Sequence, residues 1–312
     1  MQKNHIVNKR TDLKISFSCN NHCLFCVQGR KRETCGPKSL ERIKRELKKG
    51  FENGSRELVL TGGEPTLNKD IFRIIKAARD TGYSDIQIQT NGRMFRYADF
   101  CRKIKDAGVT EISPALHGSS AQIHDFLTGS PGSFTETATG IINAKKTGLR
   151  IITNSVITKP NQQDLPRLAK LLCSLGADQF QFAFTHILGS AAENSRWLIA
   201  RISTVSLFIK QALDIGIKNG VKCFTEAVPY CFMQGYEKHI SENIMPDTMI
   251  FDADTEIADF RKYRLASGKK KGPLCGKCIY NSICEGPWKE YPEIFGWEEF
   301  IPVKERPEKA SE

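Results

Sequence analysis

The amino-acid sequence predicts an α/β protein, a partial (β/α)6 TIM-like barrel followed by a small cysteine-rich C-terminal region. Three observations carry that expectation. From residue 40 to about residue 190, strand-type segments alternate with helix-type patterns at the spacing of βα units, which builds a parallel sheet flanked by helices. Several helix-type segments stop on a glycine, at Gly82, Gly108, Gly148 and Gly176, the residue that closes helices in the left-handed conformation. Cysteines gather in two groups at opposite ends of the chain, and from Val221 onward the regular alternation is lost. At 312 residues the chain exceeds one small core and suits a barrel with an appendage.

The first strand is Leu13–Ser18, where apolar and polar residues alternate. A helix-type pattern over Ser39–Asn53 leads to the strand Glu57–Thr61, and Lys69–Thr81 leads to Asp85–Thr90. Tyr97–Ala107 then precedes the strand Glu111–Leu116, and Phe134–Thr147 precedes Ile151–Ile157. Leu165–Leu175 precedes the sixth strand, Gln179–Phe184. Six strands favour a partial barrel over a closed eightfold one, with right-handed crossovers. The active face of such a fold lies at the C-terminal ends of the strands, where the βα loops gather. Ser195–Gly216 reads as one or two further helices, and Ile244–Gly272 as a loop without a regular element. The domain reading is therefore 12–220 for the barrel, 221–300 for the cysteine-rich region and 301–312 for a polar tail.

Composition narrows the class. With 40% hydrophobic and 26% charged residues the chain is neither disordered nor membrane-embedded, and no apolar run is long enough to span a bilayer. The first ten residues lack the apolar stretch of a secretory signal, so the expected compartment is the reducing cytoplasm. There, closely spaced cysteines read as metal ligands and not as disulfides. The net charge of +11 would suit a nucleic acid, but the basic runs at Arg30–Arg32, Lys44–Lys49 and Lys269–Lys271 are scattered and read as solvated faces.

Cys19, Cys23 and Cys26 form a C-x3-C-x2-C group directly after the first strand, on the first βα loop of the active face. Thiolates favour iron-sulfur clusters, zinc and copper(I). Three of them on a four-iron cluster leave one iron open to a substrate or cofactor. Zinc would need a fourth ligand; His22 is the nearest, and as the neighbour of Cys23 it points elsewhere. One strand later comes Thr61-Gly62-Gly63-Glu64-Pro65, whose paired glycines allow close backbone approach to a ligand.

The two motifs together resemble the radical S-adenosylmethionine (radical SAM) superfamily, over roughly residues 12–190. The resemblance implies that Cys19, Cys23 and Cys26 hold a 4Fe-4S cluster whose fourth iron binds SAM. It implies that Phe25 lies beside the adenine and that Gly62, Gly63, Glu64 and Pro65 serve the methionine end. Thr90 and Asn91 after the third strand fit the same pattern, and Ser113 and Asn154 resemble SAM-contacting strand positions. The implied activity is reductive cleavage of SAM to a 5'-deoxyadenosyl radical that abstracts hydrogen from a substrate. A one-electron donor such as flavodoxin or ferredoxin is the implied partner.

His117-Gly118, His124-Asp125 and Gly132-Ser133-Phe134 resemble the segment after the fourth strand in the branch with molybdenum-cofactor enzymes and peptide maturases. A cap at Ser133 and packing of both histidines account for them without catalysis. Near the C-terminus, Cys275, Cys278 and Cys284, with Cys231 upstream, resemble the auxiliary-cluster region called twitch, a short relative of SPASM. One auxiliary 4Fe-4S cluster is implied, with zinc as the rival for four cysteines and Cys223 as a substitute for Cys231. Cys35, Cys101, Cys173 and Cys223 otherwise read as buried free thiols. Tyr230, Glu226, His186 and Trp288 are candidates for a substrate cavity. The leading expectation is modification of a peptide or protein; the second is cofactor or metabolite synthesis, and a non-catalytic iron-sulfur carrier comes third.

Overall fold

The computed structural model describes residues 9–305, so most of the 301–312 tail lies outside the described residues. Seven parallel strands form the barrel wall: β1 Lys9–Ser16, β2 Glu57–Gly62, β3 Asp85–Thr90, β4 Glu111–Pro114, β5 Arg150–Ile157, β6 Gln179–Phe184 and β7 Lys222–Glu226. Two more, β8 Asp247–Phe251 and β9 Glu256–Ile257, lie on the far side of β1, giving the order β7-β6-β5-β4-β3-β2-β1-β8-β9. The α/β partial barrel is thus as expected, with the sheet open between β7 and β9.

Four elements past residue 220 depart from the sequence reading. β7 pairs in parallel with β6, and β8 pairs in parallel with β1, so the sheet continues beyond the six expected strands. The segment read as a loop over 244–272 contains β8, β9 and the helix Phe260–Ser267, whose first turn is capped by Asp259. The span between His117 and Phe134 likewise holds the helix Ala121–Thr128. Ser133 is not a cap: it opens the helix Ser133–Lys146, and the Asp125 carboxylate accepts the free N–H groups of Gly132 and Phe134 instead.

Alternation along the strands sorts side chains to two sides. Leu13 and Ile15, Leu58 and Leu60, Ile86 and Ile88, and Phe180 and Phe182 pack outward against the helices in one continuous core. The inward set is mixed: Val59, Ile152 and Ala183 are apolar, and nearly every strand adds a polar residue. Lys14 on β1 pairs with Thr61 on β2, Gln89 on β3 with Ser113 on β4, Asn154 on β5 with Gln181 on β6, and Ala183 with Glu226 on β7. A packed barrel interior would carry branched apolar residues here. This lumen is instead an open cavity in which polar and apolar side chains share the wall. No helix among the described residues is long and apolar enough to cross a membrane.

Candidate active site at the barrel mouth

The loop after β1 is held by backbone bonds to two other elements. His22 and Leu24 donate to the carbonyls of Thr128 and Leu127 at 2.7 and 2.9 Å, and the Cys26 carbonyl accepts from Ser190 at 2.9 Å. Arg32 fastens the inner turn by donating to the carbonyls of Cys19 and Asn21. The thiols of Cys19, Cys23 and Cys26 all border one cavity of about 470 Å³. Burial pushes the Cys19 thiol up, and pushes that of Cys23 up strongly, with the neighbouring cysteines adding to the latter shift. Three soft donors that repel one another as thiolates need a cation to become anionic together.

Most of the other expected residues meet at this cavity. Phe25, Gly62, Gly63, Thr90, Asn91, Ser113 and Asn154 all line it. Asn154 Oδ1 is buried without a hydrogen-bond partner, an acceptor free for a ligand. Glu64 and Pro65 are not in the wall. The Glu64 carboxylate, 1% exposed, accepts from the Thr66 amide and hydroxyl at 3.0 and 2.6 Å, from Thr90 Oγ1 at 2.8 Å and from the Asn91 amide at 2.6 Å. It braces the β2 loop against the β3 loop. The glycines are needed for close packing: a Cβ on Gly63 would stand 2.3 Å from the Ser18 carbonyl oxygen.

His117 was read as packing, yet it lines the cavity, edge-on to Phe25 with ring centroids 4.6 Å apart. Its Nδ1 accepts from the Val156 amide at 3.1 Å, and the His117 amide donates to His124 Nδ1 at 3.0 Å. Each ring accordingly carries its hydrogen on Nε2. Burial holds His117 well below the usual histidine range and His124 at about 4, so both are neutral at physiological pH. Spacing within the segment gave no sign of which histidine faced inward.

Below this cavity a second chamber of about 600 Å³ continues into the barrel, and both share Lys14, Gln89, Ser113, Asn154, His186, Glu226, Phe260 and Trp288. Among the described residues Glu226 is the one carboxylate lining both, and Lys14 the one lysine or arginine. Glu226 accepts from Gln181 at 2.7 Å and faces Arg264 at 3.5 Å; burial pushes its carboxyl up, reinforced by Glu242. His186 stacks on Trp288 at 3.8 Å. Tyr230 stands apart, stacked on Tyr280 and bonded to Asn243.

A separate cavity is bordered by Cys231, Cys275, Cys278 and Cys284. Cys223 is elsewhere, its thiol facing the Leu213 carbonyl, so it does not substitute for Cys231. Cys101 is buried as a free thiol, whereas Cys35 and Cys173 are only half-buried. Among the described residues no three His, Cys, Asp or Glu side chains converge on a single-ion site. Each cysteine set borders a cavity, the C-terminal one of about 30 Å³.

A parallel partial barrel with three cysteines on its first βα loop, facing a glycine-bounded cavity at the C-terminal mouth, defines a class of cofactor-dependent barrel enzyme. Residues 13–172 match the family model of the Radical SAM superfamily, and the chain belongs to that superfamily of enzymes, whose members use a 4Fe-4S cluster and SAM. A protein named "Probable GTP 3',8-cyclase" from Sulfurisphaera tokodaii is 29% identical over 206 residues, 65% of this chain and 64% of the relative. An "AdoMet-dependent heme synthase" from Methanosarcina barkeri is 25% identical over 317 residues, 88% of this chain and 89% of the relative. The chain thus spans under two thirds of the cyclase's length. In fold it is similar to Streptococcus suis SuiB bound to S-adenosylmethionine, with a TM-score of 0.68 at 16% identity over 90% of this chain and 73% of SuiB.

Proposed function

We propose that this radical SAM enzyme acts on a small polar molecule in cofactor or metabolite synthesis, with Cys19, Cys23 and Cys26 as the ligands of its 4Fe-4S cluster. The observation that carries the reading is the polar layer inside the barrel, one inward polar side chain from nearly every strand, directly beneath the cysteine loop. Such a layer matches a compact solute rich in hydrogen-bonding groups. The names of the relatives, a GTP cyclase and a heme synthase, support it.

When bound, the cluster and SAM supply one-electron chemistry that ends in hydrogen-atom abstraction from the substrate. The chain's own residues orient and enclose. Gly62 and Gly63 bring backbone close to the SAM position, Thr90, Asn91, Ser113 and Asn154 offer hydrogen bonds there, and Phe25 supplies an apolar face. Glu64 acts at one remove by fixing the loops that carry Gly63 and Asn91. Neutral His117 offers its Nε2–H to the cavity without charge. Lys14 on β1, ion-paired with Asp12 at 3.4 Å, and Glu226 on β7 border the same cavity and contact the substrate there, which orients it. Cys231, Cys275, Cys278 and Cys284 would hold an auxiliary 4Fe-4S cluster beside the barrel, and a small one-electron carrier protein would be the electron source.

The test is anaerobic reconstitution with iron and sulfide, then incubation with SAM and dithionite in the presence of a small-molecule or a peptide fraction from cells. Formation of 5'-deoxyadenosine stimulated by the small-molecule fraction is expected. Stimulation by peptides alone would overturn the substrate class, and no SAM cleavage under any condition would sink the ligand assignment. Once the substrate is in hand, Lys14→Met and Glu226→Gln should each raise KM about tenfold or more while SAM affinity stays within a factor of two.

A further inference from the structure

The C-terminal cysteine cavity is electrostatically unusual. Beyond the four thiols its wall is built of Gly286, Asn281, Phe300, Ile301 and prolines, and Lys271 is the one charged residue among the described residues lining it. The Lys271 ammonium is not loose, for it donates to the carbonyl of Asn281, itself part of the wall. The Lys271 side chain runs beside the Cys284 turn, its Cγ 3.6 Å from where a Cβ on Gly286 would stand. Two backbone N–H groups already donate to sulfur there, Gly272 to Cys275 at 3.2 Å and Gly286 to Cys284 at 3.4 Å.

We propose that Lys271 sets the reduction potential of an iron-sulfur cluster held by Cys231, Cys275, Cys278 and Cys284, by placing one positive charge at the rim of a wall whose other described residues are uncharged. The proposal rests on the reading of those cysteines as cluster ligands. A four-iron core of about +2 with four thiolates carries about −2, and uptake of one electron takes it to about −3 with no bond made or broken. In a wall of proline and aromatic carbon the added negative charge is poorly screened, so a nearby cation favours the reduced form and raises the potential. Gly272 and Gly286 act in the same sense through dipoles, but Lys271 is the contribution that a side-chain change removes. It touches neither substrate nor SAM, so it is a positioning residue whose effect is on charge.

The experiment is an EPR-monitored redox titration with dithionite of the full chain carrying Cys19, Cys23 and Cys26→Ala, reconstituted so that only the C-terminal site can hold iron. Lys271→Gln should lower the midpoint, Lys271→Glu should lower it further, and Lys271→Arg should restore it. The same order is expected in the intact holoenzyme, where the first cluster is distinguished by the change in its spectrum on adding SAM. A midpoint unchanged in both the Gln and Glu variants would overturn the proposal while leaving the cluster assignment intact. Binding of zinc, or iron well short of four per chain in the triple-alanine protein, would overturn the ligand reading and the proposal with it.

Discussion

His124 and Glu64 are both buried and polar; His124 is held by the His117 amide seven residues away, and Glu64 by Thr66 together with Thr90 and Asn91. The cysteines and glycines of the mouth were legible because a local motif names them. That the Glu64 carboxylate turns inward was not, since two of its four donors come from the β3 loop at Thr90 and Asn91. His124 makes a testable case. Burial lowers it to about 4 from the ordinary 6.5, with Asp125 opposing the shift and Arg93 adding to it. Between those values the unfolded chain binds more protons than the folded one, so stability present above pH 6.5 is lost as pH falls toward 4. The loss at full extent is about 3 kcal/mol. His124→Asn keeps an acceptor for the His117 amide and cannot titrate. Its urea midpoint should therefore drop clearly less than the parent's between pH 7.5 and pH 5, and an equal drop in both would refute the assignment.

At the scale of elements, legibility followed sequence locality. The βα units from β2 to β6 declare themselves because each strand follows its helix at a regular interval. β8 does not, because its partner β1 lies more than 200 residues earlier and its five residues, read alone, resemble any short apolar run. The helix Phe260–Ser267 is short and basic, and its signal is the single cap at Asp259. The turn between β2 and its following short helix tests how the mouth is built. The Gly63 amide donates to the Ser16 carbonyl at 2.7 Å, and a Cβ there would sit 2.3 and 2.4 Å from the carbonyl oxygens of Ser18 and Phe17. Neither oxygen can yield, because both belong to the backbone leading into the cysteine loop. Gly63→Ala should destabilise by about 2–4 kcal/mol and release iron from the reconstituted protein faster. Gly36→Ala, where a Cβ meets nothing within 4 Å, should change the urea midpoint little and serves as the control.

For the whole molecule the question is what closes a sheet whose ends do not meet. β7 stands at one edge and β9 at the other, and the gap is crossed by side chains from beyond residue 220. Arg264, with its side chain 1% exposed, reaches Glu285 at 2.7 Å and Glu226 on β7 at 3.5 Å from a helix packed beside β8. Lys269, equally buried, lies 4.0 Å from Glu242 and 3.9 Å over the Trp288 ring. Sequence alone could not place these charges, because a lysine or arginine in a basic run reads as solvated until its partners are known. Buried pairs gain little net stability over apolar substitutes, but a partner left alone is expensive. Arg264→Met should therefore cost about 3–5 kcal/mol, since it strands Glu285 in a wall from which one of its oxygens already lacks a partner. Adding Glu285→Leu should recover a large part of that loss, leaving the double variant more stable than Arg264→Met alone. Urea denaturation of the four members of the cycle reads the coupling directly. Strictly additive losses would mean that Arg264 and Glu285 do not act as one clamp, and that the open edge of the barrel does not depend on this pair.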